Sequence, residues 1–310
     1  MTMMKTARIH EYGDTSVIRY DSVPRPRPGF GEVLVRVAAT SFNPTEAALR
    51  AGMLQAFLPV DLPFTLGWDV AGTVVEIGAG ADGFAVGDRV IGRLDSGGAA
   101  AEYVRAPAAL LVAAPASVPL ASAAALPVAG LTAWQAVFEH GKVAAGHRVL
   151  VNGAGGGVGG FVTQLAAHAG AEVIATASTR STAAVLRQGA DQVIDYTAGP
   201  VGVALDGQVD TLLNLVPLSP LDAAALAPLV RPGGRIISIA TPIEPAYGTG
   251  VNAKHIVARN DVAHLAALAE LVDAATLGID ISDSRPLADL ADVHRLSEAG
   301  QIRGKVLIVP

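Results

Sequence analysis

The chain of 310 residues contains no cysteine. Disulfides, thiolate zinc sites, iron–sulfur clusters and a cysteine nucleophile are therefore excluded. Charge is also scarce. Charged residues make up 16% of the chain, and 22 basic against 28 acidic residues leave a net charge of −6. That balance argues against a polyanion-binding surface, so nucleic acid is not an expected partner.

Long apolar runs are missing as well. The longest stretch without a charged residue, 106–138, is interrupted by prolines and a glycine, which suits packed helices and turns better than a membrane span. The first residues show no apolar run typical of a secretory signal. Because 51% of the residues are hydrophobic and the length favours about two domains, we expect a cytoplasmic globular protein of two domains.

The first hundred residues predict a β-rich domain. Alternating valines in EVLVRVA (32–38) indicate a strand with one buried face. Strand patterns return at 70–77 and 88–92, and the glycine-rich segment between them supplies turns.

From about residue 122 the pattern changes to alternating strands and helices. Predicted strands lie at 147–151, 171–177, 193–194, 209–216, 235–240 and 251–258, and predicted helices at 158–169, 182–188 and 221–230. This alternation predicts an α/β domain with a doubly wound parallel sheet. The last strand, 305–309, is expected to return to the first domain.

Residues 152–160 (NGAGGGVGG) form the sharpest motif, after a predicted strand and before a predicted helix. Glycine is needed there because side chains would hold the backbone away from a pyrophosphate, and the helix N-terminus presents free N–H groups to that anion. Spacing leaves two registers open. They are Ala154-x-Gly156-x-x-Gly159 and Gly155-x-Gly157-x-x-Gly160.

The following predicted strand ends at Ala177 and leads into Ser178-Thr179-Arg180. In the dinucleotide fold a carboxylate at that place holds the ribose 2′-hydroxyl. Here no acid repels a 2′-phosphate, while a guanidinium and two hydroxyls are available to bind one. The sequence favours NADP(H) over NAD(H), with a solvated helix-start position for Arg180 as the alternative.

Several motifs, in a fixed order, resemble one family. They are EVLVRV, SFNPTEAALRAG, LPFTLGWDVAG, ALPVAGLTAWQAV, HRVLVNGAGGGVG, LVRPGGRIISI and GKVLIV. Over nearly its whole length the chain resembles zinc-free medium-chain dehydrogenase/reductases, above all the quinone oxidoreductase branch. The resemblance implies a GroES-like β-barrel catalytic domain (1–121 and 261–310) and a Rossmann NADP-binding domain (122–260). It also implies a homodimer joined at the sheet edge near 251–258.

In zinc-dependent relatives a Cys, a His-Glu pair and a further Cys or His hold the metal. The matching places look like Asn43 and Trp68-Asp69, and an amide, an indole and one carboxylate do not make a tetrahedral zinc site. Without a metal, hydride transfer is easiest onto an acceptor that spreads the incoming charge. The resemblance therefore implies NADPH-dependent reduction of a quinone or an α,β-unsaturated carbonyl.

The resemblance also implies roles for single residues. Asn43 is implied to lie beside the nicotinamide and substrate, and Thr132 at the nicotinamide ribose or ring. The implied cofactor contacts are Ala154, Gly155, Gly156, Gly157, Val158 and Gly159 at the pyrophosphate, Ser178 and Arg180 at the 2′-phosphate, Tyr196 on the adenosine side, and Lys305. As alternatives, Thr132 and Tyr196 are packed hydrogen-bonding residues and Lys305 is a solvated charge at a strand edge.

One position departs from the branch. Its NxxDxYxRxG motif carries a substrate-facing tyrosine, and Ala48 stands there in this chain. Either solvent or another group must then supply the proton, and Tyr103 and Tyr247 are weak candidates. The substitution also enlarges a pocket flanked by apolar side chains. Our hypothesis is a bulky, flat acceptor, a polycyclic quinone or a biosynthetic enone, in a pocket lined by Ala48, Met53, Phe57 and Trp68.

Two other functions stay open at this stage. An NADPH-binding sensor or structural protein with little turnover is kept open by Ala48 and by the lack of an evident acid. A zinc-type alcohol dehydrogenase is disfavoured by the missing ligands. The seven histidines show no metal-binding spacing, and we expect them to be surface or packing groups.

Overall fold

The structure, a computed structural model, describes residues 2–310. The chain divides into two compact units. Unit 1 holds Met1–Val128, Asn260–Ala275 and Ile281–Pro310, and unit 2 holds Ala129–Arg259 and Thr276–Asp280. None of the helices within residues 2–310 has the length and apolarity that a membrane crossing requires.

This division differs from the expected domain boundaries at Asn260, which belongs to unit 1, and in two longer segments. Residues 122–128 belong to unit 1, where the backbone N–H of Val128 donates to Oδ1 of Asp69 at 2.7 Å. Residues 276–280 belong to unit 2, where the Gln164 amide exchanges hydrogen bonds of 3.0 and 2.7 Å with the Gly278 backbone. Both contacts join distant parts of the chain, so local strand patterns do not reveal them.

The strands and helices predicted from the sequence are present with shifted ends, and further elements that were not predicted, such as Met3–Ile9 and Pro44–Arg50, lie among them. The elements up to residue 134 are β1 (Met3–Ile9), β2 (Ile18–Pro24), β3 (Glu32–Ser41), α1 (Pro44–Arg50), β4 (Phe64–Thr65), β5 (Asp69–Ile77), β6 (Arg89–Arg93), β7 (Tyr103–Pro107), β8 (Leu111–Ala113) and α2 (Pro127–Trp134). Those of the middle are β9 (Arg148–Asn152), α3 (Gly157–His168), β10 (Glu172–Ala177), α4 (Thr179–Arg187), β11 (Gln192–Asp195), α5 (Val201–Ala204), β12 (Val209–Asn214), α6 (Pro220–Leu226), β13 (Val230–Ser238) and β14 (Asn252–His255). The last are α7 (Val262–Asp273), β15 (Ile281–Pro286), α8 (Leu290–Glu298) and β16 (Lys305–Val309).

Unit 1 is built on two sheets. One has the order β15-β16-β3-β5-β6-β8, with β7 also paired to β3, and the other has the order β2-β1-β4. The valines that predicted β3 are buried in a core with Val70, Val74 and Val90. Because β3 runs to Ser41 and pairs with β16, the start of α1 and the start of β16 come together.

Unit 2 contains a six-stranded parallel sheet in the order β11-β10-β9-β12-β13-β14. The order reverses between β9 and β12, which is the switch point where such sheets take their ligand. The predicted fold class is confirmed. The helix predicted at 221–230 is shorter, because Pro228 lacks the N–H that an α-helix needs and the chain passes into a 3₁₀ turn at Ala227–Leu229. The strand predicted at 251–258 covers only Asn252–His255.

Candidate active site

The glycine-rich turn connects β9 to α3. Gly153 adopts φ +98°, which side chains rarely tolerate, and Gly156 is the N-cap of α3 without a side-chain cap. The first N–H groups of the helix have no intrahelical partner and carry the positive end of the helix dipole. The carboxyl edge of the sheet therefore presents an anion-binding backbone.

The geometry selects one of the two registers. A Cβ on Gly159 would lie 2.3 Å from the Gly153 carbonyl oxygen and 2.7 Å from Ala154 backbone atoms, so only glycine fits this close approach. A Cβ on Gly160 would meet only the flexible amide of Gln188, at 2.8 Å. Gly159 is thus the packing glycine of the fingerprint, and the register is Ala154-x-Gly156-x-x-Gly159.

Gly156 has the space that a ligand needs. Its Cβ would meet only the Gly153 carbonyl oxygen, at an ordinary 3.5 Å. Gly155, by contrast, packs against Ser181 of α4, whose Oγ would lie 2.5 Å from an added Cβ. In the selected register Gly156 would be the position where the backbone approaches a pyrophosphate, and the open space beside it fits that group.

The residues expected at a 2′-phosphate follow β10. Ser178 is half-buried and caps α4 without a side-chain capping bond, and Arg180 is exposed in the first helical turn. The helix predicted from 182 therefore begins earlier, at Thr179, which places the guanidinium at a helix start. Tyr196, after β11, is 53% exposed. Thr132, on α2, is buried at 8% exposure.

Unit 1 holds a buried polar cluster, which we call the Lys305 cluster: Ser41, Asn43, Glu46, Asp69 and Lys305. The Lys305 ammonium donates to Oδ1 of Asn43 at 2.9 Å and lies 3.6 Å from Oδ2 of Asp69. Nδ2 of Asn43 donates to the same Asp69 oxygen at 2.9 Å and to Oε1 of Glu46 at 3.2 Å. The Ser41 hydroxyl also donates to Asp69.

These contacts fix the Asn43 carboxamide in one orientation. Its oxygen faces the ammonium and its nitrogen faces the two carboxylates, and the residue is 3% exposed. Lys305 is 4% exposed, and its ammonium also donates to the Phe42 carbonyl oxygen at 3.2 Å. Lys305 is therefore not a solvated strand-edge charge. We do not assign it the expected direct cofactor contact, because oxygens of its own unit surround the ammonium.

Burial shifts the pKa values of two groups in the Lys305 cluster. Desolvation raises the pKa of Glu46 to about 7, against the hydrogen bond from the Gly67 backbone that favours the carboxylate. Desolvation also lowers the pKa of Lys305, although Asp69 and Glu46 oppose that shift. The cluster contains two carboxyl groups and one ammonium, so a proton on Glu46 makes it electrically neutral.

The Lys305 cluster also decides whether these residues could bind the zinc ion of zinc-dependent relatives. Asn43 and Asp69 stand at the places expected to match zinc ligands, and an ammonium lies against both of them. Thiolate sulfur is absent because the chain has no cysteine, Trp68 offers no lone pair, and the Lys305 ammonium occupies the cation site between Asn43 and Asp69. The donor set does not fit a structural or catalytic zinc.

The four residues expected to line a pocket have different environments. Met53 and Phe57 are exposed, at 74% and 88%, whereas Trp68, at 9%, belongs to the core of unit 1. Ala48 is half-buried on α1. Of the two tyrosines considered as donors, Tyr247 is fully exposed, and Tyr103 lies under the Arg25 guanidinium, 4.3 Å from its ring centre.

Comparisons with known proteins agree with this architecture. Family models for the alcohol dehydrogenase GroES-like domain and the zinc-binding dehydrogenase match residues 29–116 and 188–308. The chain is 33% identical to a chloroplastic quinone-oxidoreductase of Triphysaria versicolor over 99% of both chains. The structure of the quinone oxidoreductase from Coxiella burnetii superposes with a TM-score of 0.92 at 30% identity, covering 100% of both chains. A mycobacterial structure complexed with NADPH gives 0.87 at 30% identity, covering 99% of this chain and 100% of that one.

The fold and the full-length relative define an oxidoreductase of the medium-chain dehydrogenase/reductase family, to which the chain belongs. Within that family it belongs to the zinc-free, quinone oxidoreductase-like proteins. Its first unit carries the GroES-like domain and its second the Rossmann-like sheet, and as a member of this family the chain uses a nicotinamide cofactor and a small-molecule substrate.

Sequence reasoning missed several polar residues. Glu46 and Ser41 were not singled out, although a carboxylate one turn after Asn43 was a signal. Thr176 and Asn214 were not singled out either, and Asn152 was noted only as the first residue of the glycine motif. Each is a polar residue at or next to the end of an apolar strand, and the carboxyl ends of parallel strands share one edge.

Proposed function

We propose that the protein is an NADPH-dependent, zinc-independent oxidoreductase that reduces a quinone or an α,β-unsaturated carbonyl. The observation that carries the proposal is the glycine turn at the switch point. Gly156 leaves space for an anion at the start of α3, and Gly159 packs closely against the backbone of Gly153 and Ala154 in the turn. The family relatives named quinone oxidoreductases support the substrate class.

In this proposal different residues bind the adenosine half and the nicotinamide half of NADPH. The backbone from Gly156 to Gly159 binds the pyrophosphate, with Ala154 to Val158 around it, and Ser178 and Arg180 bind the 2′-phosphate. Tyr196 lies on the adenosine side, and Thr132 and Asn43 on the nicotinamide side. The bound cofactor supplies a hydride.

NADP(H) is favoured over NAD(H) by the end of β10. No carboxylate follows that strand, and the Asp195 carboxylate at the end of the neighbouring β11 is engaged by the Thr197 N–H and hydroxyl at 2.9 and 2.6 Å. A 2′-phosphate would meet the Ser178 hydroxyl and the Arg180 guanidinium instead.

The substrate is proposed to be bulky and flat. Ala48 stands where the resemblance implies a substrate-facing tyrosine, so the space of an aromatic ring is left for the acceptor. The acceptor must spread the incoming negative charge itself, since no metal polarises it. Ala48→Tyr should then slow 9,10-phenanthrenequinone reduction more than 1,4-benzoquinone reduction. Equal slowing of both would contradict a pocket enlarged for size.

The outer edge of the unit 2 sheet supports a proposed homodimer. β14 is the last strand of the sheet, and Lys254 and His255 on it are exposed. Such an edge pairs readily with a second copy. Light scattering of the wild type and of a His255→Pro variant tests this. The Ile256 N–H donates inward to the Ser238 carbonyl oxygen, so the N–H of the alternating residue His255 faces the outer edge, and proline removes that donor. A wild-type monomer would contradict the proposed dimer.

Turnover separates the proposal from a binding protein without activity. Loss of NADPH absorbance is followed after addition of 1,4-benzoquinone, 9,10-phenanthrenequinone and a panel of enones. Consumption with at least one acceptor supports the reductase. Tight NADPH binding without consumption would favour the sensor function that Ala48 leaves open.

A further inference from the structure

A chain of buried hydrogen bonds crosses the carboxyl edge of the unit 2 sheet. Four polar residues lie at or next to the ends of adjacent strands and are at most 6% exposed: Thr176 on β10, Asn152 on β9, Asn214 on β12 and Ser238 on β13. We call them the strand-end ladder. Their neighbours along each strand are apolar, so burial of these polar groups needs mutual satisfaction.

The ladder has one direction from the glycine turn to Asn214. The Gly153 N–H donates to the Thr176 hydroxyl at 2.9 Å, and that hydroxyl donates to Oδ1 of Asn152 at 2.9 Å. Nδ2 of Asn152 then donates to Oδ1 of Asn214 at 2.8 Å. This last bond bridges β9 and β12, the pair of strands at the switch point.

Beyond Asn214 the ladder reaches two loops. Its Nδ2 donates to the Ser238 hydroxyl at 3.0 Å and to the Val216 carbonyl oxygen at 3.1 Å. The Ser238 hydroxyl donates to the Thr241 carbonyl oxygen at 2.6 Å, and the Thr241 hydroxyl accepts from the Leu218 N–H at 2.9 Å. The loops after β12 and β13 are thus tied to the glycine turn.

A doubly wound sheet binds a dinucleotide with two mononucleotide-binding halves that meet at the switch point. Asn214 lies between these halves. The Asn214 carboxamide can bond to both halves in one orientation only. Its oxygen must accept from Asn152, while its nitrogen donates to the Val216 carbonyl oxygen in the loop after β12.

We infer that Asn214 is a positioning residue for the dinucleotide, holding the nicotinamide-side loops in place relative to the turn that receives the pyrophosphate. The inference rests on the proposed function. It predicts that the ladder matters to a ligand that spans both halves and not to one confined to the adenosine half.

The test compares NADPH with 2′,5′-ADP, which carries only the adenosine half. In Asn214→Asp a carboxylate oxygen would face the Val216 carbonyl oxygen, and the loop after β12 would be repelled. We expect the Kd for NADPH to rise about tenfold and the Kd for 2′,5′-ADP to change less than about twofold. Ser238→Ala is a milder change, and it should also raise the Kd for NADPH more than the Kd for 2′,5′-ADP, but by a smaller factor.

Thr211→Val is the matched control, because Thr211 is a buried polar residue on the same β12 strand whose hydroxyl donates to the Gly141 carbonyl oxygen outside the ladder. It should leave both Kd values unchanged. The inference would be overturned if Asn214→Asp and Ser238→Ala weakened the binding of NADPH and 2′,5′-ADP to the same extent, or if they weakened neither. If the wild type bound 2′,5′-ADP but not NADPH, or neither, the proposed function itself would fail, and the inference with it.

Discussion

The Lys305 ammonium donates a hydrogen bond to Oδ1 of Asn43 at 2.9 Å, although 262 positions separate the two residues in the chain. Asp69 lies 3.6 Å from the same ammonium. Asn43 and Asp69 match the places where zinc-dependent relatives bind metal. This chain therefore places a cation of its own at those residues, and the carboxylates that surround it depend on that charge.

Lys305→Met should destabilise the protein strongly. The substitution leaves Asp69 and Glu46 buried without a counter-charge, and loss of one partner of a buried ion pair typically removes about 3–5 kcal/mol of unfolding free energy. Urea unfolding measures the effect. Lys142→Met, at an exposed lysine, is the control and should stay within about 0.5 kcal/mol of wild type. Equal stability of the two variants would contradict the assigned role.

Glu46 should make stability fall with rising pH. Its pKa is raised to about 7 in the folded protein, so the folded state holds a proton that the unfolded state releases near 4.5. The unfolding free energy then decreases between those values, by up to about 1.4 kcal/mol per pH unit. Glu46→Gln cannot titrate and should lack this component. Identical pH profiles for the variant and the wild type would show that folding does not raise the pKa of Glu46.

His294 should act in the opposite direction. It is fully buried beside Phe42, with ring centres 4.9 Å apart, and neither ring nitrogen has a hydrogen-bond partner within the described residues. Burial lowers its pKa to about 3. Between about 6.5 and 3 the unfolded state binds the proton first, so stability is lost as the pH falls.

His294→Leu removes this titration and an unsatisfied buried imidazole, so the variant should gain stability over wild type as the pH falls below about 6. Urea unfolding between pH 4 and pH 8 measures the difference. His168→Leu, at an exposed histidine away from the proposed dimer edge, is the control. A His294→Leu profile parallel to wild type would show that His294 has the same pKa in the folded and unfolded states, which would contradict the lowering of its pKa by burial.

The fold was largely predictable from the chain because its signals are local. The alternation in EVLVRVA and the glycine turn between a strand and a helix depend on neighbouring residues, and β3 and α3 formed where those patterns lie. The site was less predictable. The Lys305–Asn43 contact and the bond from Val128 to Asp69 join distant segments, and no local pattern specifies them. The register of the glycine turn depends on which added Cβ would clash, which spacing does not encode.

Two glycine variants should separate packing from binding. Gly159→Ala places a Cβ 2.3 Å from the Gly153 carbonyl oxygen and should destabilise the protein. Gly156→Ala has ordinary space in the free protein, so stability should change little, while the Kd for NADPH rises at least about tenfold because the methyl group takes the pyrophosphate's place. Thermal unfolding and fluorescence titration measure the two effects. If Gly156→Ala binds NADPH normally, the pyrophosphate does not lie at this turn.

The most direct test is a side-by-side fluorescence titration of wild type and Arg180→Ala with NADPH and NADH. The wild type should bind NADPH more tightly than NADH, and Arg180→Ala should weaken NADPH selectively, by about tenfold or more, because a guanidinium–phosphate contact is lost. Equal loss of both cofactors in Arg180→Ala would contradict the 2′-phosphate contact. A wild type that binds neither reduced cofactor would contradict the account as a whole.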